Sequence, residues 1–120
     1  MRGLGGQRAE RGAGSVLVVT IMGAVVATTL LLASVATALV TARSVAGAAD
    51  ASALAAADAR AGFSADPPCA AAATVAAAND VRVVACDVDG LVVTVAVATS
   101  YMGLSIVQAA TAGPPSSRPD

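Results

Sequence analysis

Residues 13–42 are AGSVLVVTIMGAVVATTLLLASVATALVTA, and this stretch decides the fold because no charged residue interrupts it. Its apolar centre, Val16 to Val40, exceeds the roughly 20 residues that a helix needs to cross a hydrocarbon core of about 30 Å. A lone segment in lipid has to satisfy its own backbone hydrogen bonds, which only a helix can do. The alternative is a core helix of a soluble domain, but a chain of 120 residues has too little other material to enclose it. The sequence therefore predicts a transmembrane helix over residues 13–42.

The charges that flank this helix predict its orientation. Residues 1–12 carry Arg2, Arg8 and Arg11, whereas the first basic residue on the other side is Arg43. An excess of basic residues marks the cytoplasmic side of a membrane segment. We therefore expect a single-pass protein of the cell membrane, in contact with membrane lipid, with a cytoplasmic head over residues 1–12 and an extracytoplasmic C-terminal part.

A cleaved signal sequence is the alternative to a permanent anchor. The basic head fits such a signal, but the apolar region is longer than the roughly 7–15 residues usual in signal peptides. Ala46-Gly47-Ala48 nevertheless offers a cleavage site with small residues at both outer positions. Cleavage near Ala48 would release a small secreted binding or effector protein.

Small residues recur four positions apart within the span, as in Gly23 with Ala27 and Ala33 with Thr37. This spacing allows two helices to approach each other closely in lipid. It indicates packing against a partner helix, and a second copy of the chain in a homo-oligomer is one such partner.

After the span, residues 43–62 are expected to extend the helix, because Ala has the highest helix propensity. One face of this extension carries small or β-branched apolar residues: Val45, Ala49, Ala53 and Ala56. Gly62 is expected to stop the helix, and Pro67-Pro68 favours a turn that cannot remain helical.

Residues 63–112 have the pattern of a small extracytoplasmic αβ domain. We expect a short helix over Cys69 to Asn79, followed by β-branched runs over residues 81–88 and 91–100. Asp89-Gly90 between these runs predicts a type I′ hairpin turn. With that turn the facing residues are Val88 with Leu91, Cys86 with Val93, Val84 with Val95, and Arg82 with Val97.

The end of the chain leaves two structures open. Residues 104–112 suit either a third strand or a short helix, and residues 113–120 are expected to be disordered. The predicted class is α+β. A long N-terminal transmembrane helix continues into an Ala-rich helix, and a short helix and an antiparallel hairpin or three-stranded sheet follow.

The two cysteines, Cys69 and Cys86, both follow the span. An oxidising exterior favours an intramolecular disulfide, and closing a loop of this size stabilises a fold by about 3 kcal/mol in the chain-entropy model. Two buried thiols, as expected of a cytoplasmic location, and intermolecular links are the alternatives.

The composition argues against enzymatic chemistry. The chain has no His, and all 7 basic residues are Arg, so the common general bases are missing. Two Cys without His cannot complete a zinc site, and Asp87 and Asp89 suit a solvated turn. We therefore expect no catalytic residue, cofactor or metal site. No nucleic-acid partner is expected either, because the basic residues are not clustered.

The order of these segments resembles that of a known family. ERGAGSV at residues 10–16, GAADASALAAADA at 47–59, VVACDVDG at 83–90 and AGPP at 112–115 are the similar stretches. They resemble the TadE/TadG group, the pilin-like proteins of the tight-adherence (Flp) pilus system, and in particular a short actinobacterial TadE-like branch.

This resemblance implies a non-enzymatic, single-pass, pilin-like component of a Tad/Flp-type pilus or secretion apparatus. Its partners would be other pilin-like subunits or subunits of the Tad apparatus. It also implies processing by a prepilin peptidase, for which Gly12 and Gly14 are the candidate positions. Such pilins have Glu five residues after the glycine, where this chain has Leu17 or Val19.

Overall fold

Two helices are followed by three strands in the computed structural model, which describes the backbone of residues 2–115 and the side chains of residues 12–115. The elements are α1 (Arg2–Arg60), α2 (Pro68–Ala78), β1 (Arg82–Asp89), β2 (Val92–Tyr101) and β3 (Leu104–Ala112). Of the described residues, those up to residue 37 and those from residue 38 onward form separate compact units. This is the predicted α+β fold, with three strands in its sheet. Residues 113–120 were expected to be disordered. Of these, residues 116–120 lie outside the described residues.

The part of α1 in the first unit exposes large apolar side chains. From Val16 to Val35 these side chains are between 53% exposed, at Ile21, and 69% exposed, at Leu31. The helix also satisfies its own polar groups. Five hydroxyls each donate a hydrogen bond of 2.8 Å to the carbonyl oxygen four residues earlier, those of Thr20, Thr28, Thr29, Ser34 and Thr37. Because these hydroxyls have partners inside the helix, they do not require water.

Gly62 sets the end of α1 in the second unit. The N–H of Phe63 donates to the carbonyl of Asp58 at 3.0 Å, and the N–H of Gly62 donates to that of Ala59 at 3.2 Å. Gly62 has a φ of 90°, which glycine adopts without a steric penalty. These two bonds form a Schellman motif. The helix stop predicted at Gly62 is therefore confirmed.

A second Schellman motif ends α2, with Asp80 in the position that glycine usually takes. The N–H of Val81 donates to the carbonyl of Ala76 at 3.1 Å, and that of Asp80 to the carbonyl of Ala77 at 3.2 Å. Asp80 has a φ of 57°, a region that Asp visits more readily than most residues. The motif turns the chain directly into β1.

The predicted hairpin between β1 and β2 is present, but its turn is one residue further along the chain. Asp89 faces Val92, so Gly90 and Leu91 are the central residues of the turn. Gly90 has a φ of 60°, and Leu91 is not among the residues with positive φ. A positive φ at the first central residue alone is characteristic of a type II′ turn, which prefers Gly there. The predicted type I′ turn at Asp89-Gly90 is therefore wrong.

This shift changes every facing pair that was predicted. In the structure Val88 faces Val93, Cys86 faces Val95, Val83 faces Val97 and Arg82 faces Ala98. A bulge between Val83 and Ala85 rotates Val84 away from the core, where it is 49% exposed. Cys86 lies opposite the buried Val95 and packs partly buried against the core.

Residues 104–112 form the third strand, and the helical alternative is excluded. β3 pairs antiparallel with β2 without irregularity, from Tyr101 opposite Leu104 to Val93 opposite Ala112. The two-residue loop has positive φ at both positions, 50° at Met102 and 78° at Gly103. This is the pattern of a type I′ turn, which fits the twist of the strands.

The core of the second unit lies between the helices and one face of the sheet. β2 contributes Val93, Val95 and Val97, and α2 contributes Ala72 and Ala76, all fully buried. The buried side of α1, here called the alanine face, consists of Val45, Ala48, Ala49, Ser52, Ala53, Ala56 and Ala59. Four residues of this face belong to one core cluster with the β-branched residues of β2: Val45, Ala49, Ala53 and Ala56.

Candidate functional site: the apolar segment and the disulfide-linked unit

The apolar segment, Val16 to Val40, exposes large apolar side chains along its whole length. A stretch of 18 residues in its helix has a mean hydropathy of 2.5, and 0% of that stretch is buried. A core helix of a soluble domain passes the same length test but would be mostly buried. A soluble protein rarely exposes an apolar surface of this size. The segment is therefore a candidate membrane span near the N-terminus.

The four residues predicted for helix packing share one side of this span. At about 100° per residue, Gly23, Ala27, Ala33 and Thr37 fall within an arc of about 120°. All four are exposed. Apart from its two chain neighbours and the nearby backbone of its own helix, nothing lies within 4 Å of the position that a Cβ would take at Gly23. Packing at this side stays a prediction.

The three residues predicted for processing lie in different surroundings. Gly12 and Gly14 are exposed residues of α1, and a Cβ added at either would have open space within 4 Å. Ala48 is 3% exposed, on the alanine face of the second unit. A protease that cuts beside Ala48 therefore has to reach a helical and buried backbone.

The two cysteines form the intramolecular disulfide that the sequence favoured. Cys69 lies in the first turn of α2 and Cys86 in β1, and their Cα atoms are 6.0 Å apart. The described residues contain no free cysteine. The bond closes a sequence separation of 17 residues and ties α2 to the sheet. Because α2 buries only the small side chains Ala72 and Ala76, its packing gives little hydrophobic stabilisation, and the disulfide adds to it.

A hydrogen bond that the sequence did not predict links α1 to the first hairpin. Nε of Arg60 donates to the carbonyl oxygen of Gly90 at 2.8 Å. The bond places a cation at the last turn of α1, where it also interacts favourably with the helix dipole. The sequence shows an Arg at the end of a helix, but it does not show that the hydrogen-bond partner of this Arg lies 30 residues away.

Ser52 is a second feature that the sequence did not predict. It is 0% exposed on the alanine face, and its Oγ has no hydrogen-bond partner. An unpaired buried hydroxyl costs free energy. Its small volume is the feature that fits a face otherwise made of Ala and Val.

Phe63 is the third such feature. It is 84% exposed and stands between two shallow grooves. One groove is lined by Leu54, Leu91 and Pro114, among others, and the other by Asp66 and Val75. Neither groove contains a constellation for catalysis. Within the described part of the chain, no three His, Cys, Asp or Glu residues come close enough to hold a metal ion.

No protein-family model, curated protein or solved structure matches this chain. The properties of its surfaces are therefore the basis for a functional assignment.

Proposed function

We propose that this chain is a non-enzymatic, single-pass membrane protein, a pilin-like component of a Tad/Flp-type pilus or secretion apparatus. It acts by helix packing and assembly. The exposed apolar segment carries the proposal, since large side chains from Val16 to Val40 require a non-aqueous environment. The resemblance of four stretches of the sequence to TadE-like proteins is the reason for naming this apparatus.

The orientation follows from charge and from the cysteines. The Arg-rich head stays in the cytoplasm, and residues 43–115 face the exterior. A disulfide between Cys69 and Cys86 supports this orientation, because such bonds persist in oxidising compartments. The second unit is then a small folded domain on the outer side of the cell membrane.

Assembly uses the side of the span formed by Gly23, Ala27, Ala33 and Thr37. The small side chains let a partner helix approach closely, and van der Waals contacts then provide the attraction that lipid cannot. The partners are the transmembrane helices of other pilin-like subunits or of Tad apparatus subunits.

Release of a secreted fragment by cleavage near Ala48 is less compatible with the fold. Val45 and Ala48, both buried, would leave the core of the second unit with the N-terminal fragment. The intact mass of the mature protein separates the two functions. An anchored protein keeps the span, whereas release gives a fragment that begins near Ala49.

Topology is tested by adding protease to intact spheroplasts that carry the full chain. We expect loss of the second unit and protection of an epitope on the head. A protected second unit with a cleaved head would reverse the orientation and remove the argument from the disulfide.

Assembly is tested by in vivo cross-linking of the full chain in cells with and without a Tad-type ATPase and membrane platform. Ala27→Leu should reduce cross-links to partner subunits, because it fills the packing side. Val25→Leu is the matched control, since Val25 lies on the opposite side of the helix. Equal cross-linking of both variants would contradict assembly through this side.

A further inference from the structure

The two edges of the sheet differ in how they are protected against pairing with another strand. β1 carries Arg82, Asp87 and Asp89 and contains a bulge, all of which discourage an incoming strand. β3 has the sequence LSIVQAATA, with no charge, no proline and no bulge. Natural proteins usually protect such an edge, and β3 itself carries none of the protective features found on β1.

The type I′ turn at Met102-Gly103 shows which backbone groups of β3 point outward. Such a turn joins Tyr101 and Leu104 by a hydrogen bond, and hydrogen-bonded pairs then alternate along an antiparallel ladder. The even-numbered residues of β3 therefore bond to β2. The odd-numbered residues, which are Ser105, Val107, Ala109 and Thr111, direct their N–H and C=O groups to the free edge. All four are exposed.

We propose that β3 pairs antiparallel with β3 of a second copy of this chain, with the two-fold axis at Gln108. This inference does not depend on the proposed pilus function. Gln108 is the central residue of Leu104–Ala112, so a register centred on it aligns the whole strand. The pairing joins two three-stranded sheets into one six-stranded sheet.

The chemistry of the facing residues identifies a second copy as the occupant. In this register Ser105 faces Thr111, whose hydroxyl already shares a hydrogen bond of 2.9 Å with the hydroxyl of Thr94, and Val107 faces Ala109. The amide of Gln108 meets its own symmetry mate, and an amide both donates and accepts hydrogen bonds. No charged residue faces another, so identical strands pair without repulsion. The odd-numbered residues whose groups point outward also form the hydrogen-bonded pairs in this register.

Cysteine cross-linking of the full chain in lipid nanodiscs tests the register. Gln108→Cys should give a disulfide-linked dimer on oxidation, because residues in a non-hydrogen-bonded pair lie about 4.5 Å apart at Cα, within the range that a disulfide spans. Thr111→Cys is the control, since its two copies would be about 20 Å apart along the strands. Peptide mapping has to show that Cys69–Cys86 is intact in both variants. Equal cross-linking at both positions, or none at residue 108, would overturn the proposal.

A pair of proline variants tests the edge itself without a new thiol. Ala109→Pro removes an outward N–H of β3, which should weaken the dimer at least about tenfold because two intermolecular hydrogen bonds are lost. Val88→Pro removes an outward N–H from the β1 edge and should leave dimerisation unchanged. A correct Cys69–Cys86 disulfide and an unchanged circular dichroism spectrum show that each variant folds. If Ala109→Pro does not fold, Val107→Lys blocks the same edge by charge. A dimer that persists in a folded edge variant is held by another surface, such as the transmembrane helix, and would refute pairing through β3.

Discussion

The apolar segment and the alanine face belong to the same helix, yet the first exposes large side chains and the second buries small ones. In the apolar segment, Leu31 is 69% exposed and Val19 is 68% exposed. On the alanine face, Ala49 and Ala56 are 0% exposed. In a water-soluble helix the large apolar residues would be the buried ones. The first stretch therefore has the exposure expected of a candidate membrane span, and the second has that of a helix face packed in a thin protein core.

Each environment explains the residues that it contains. In lipid a helix gains nothing from burying Leu or Val, so a membrane span can direct these residues outward and keep its small residues for contact with another helix. On the alanine face, a larger side chain would hold α1 away from Val93, Val95 and Val97 of β2. The following substitutions test this contrast, beginning with the largest expected effect.

Val26→Arg should lower the fraction of the protein that is integrated in the membrane. An Arg at the centre of a span costs about 2.5–3.5 kcal/mol on insertion scales, and this chain has only one candidate span among the described residues. Carbonate extraction and flotation measure the membrane-bound fraction. Val40→Arg is the control, because a charge near the end of the segment can reach the interface. Unchanged integration of Val26→Arg would mean that the segment does not cross the bilayer.

Replacement of both cysteines by Ala should destabilise the second unit by about 3 kcal/mol, since the unfolded chain regains the freedom of the closed loop. The apolar segment has no such link, so its helix content should not change. Thermal unfolding of the full chain in detergent, followed by near-ultraviolet circular dichroism at Tyr101, measures the loss. Reduction of the wild-type protein should give the same shift. An unchanged unfolding temperature would show that packing alone holds α2 in place.

Ala53→Leu should destabilise the second unit by about 2 kcal/mol, because overpacking forces α1 and the sheet apart. Ala53 is 1% exposed and belongs to the core cluster. The same substitution in the apolar segment, Ala24→Leu, adds a side chain where only lipid is displaced, and it should leave stability unchanged. Chemical unfolding of both variants in the same detergent gives the comparison. Equal effects at the two positions would remove the distinction between the two environments.

The sequence was sufficient for the features that depend on composition. A long uncharged apolar run predicts a candidate span at any position in a sequence. Two cysteines after that run predict one intramolecular disulfide. Gly62 was also predictable, because a glycine after an Ala-rich helix is the usual residue of a Schellman motif. These features need no knowledge of neighbouring elements.

The register of the first hairpin was not predictable, because two turns compete for the same glycine. Gly90 can be the second central residue of a type I′ turn or the first of a type II′ turn. The strands do not discriminate between these turns, since β2 has Val at positions 92, 93, 95 and 97. The bulge beside Val84 was hidden for a similar reason, because the adjacent residue Val83 is equally apolar. Where apolar residues are continuous, a shift of register leaves no trace in the pattern.

The smallest expected change in stability is at Met102, in the turn between β2 and β3. Met102 has a φ of 50° and is 85% exposed, so its side chain has little packing to offset the strain of a left-handed backbone. Met102→Asn should stabilise the second unit by about 1 kcal/mol, because Asn tolerates this region and is favoured in type I′ turns. The unfolding free energy of the full chain measures the gain. Leu91→Asn is the matched control, since Leu91 does not have a positive φ and no strain is relieved there. A gain at both positions would reflect solubility of the unfolded chain, whereas a gain only at residue 102 shows that strain in this turn limits the stability of the sheet.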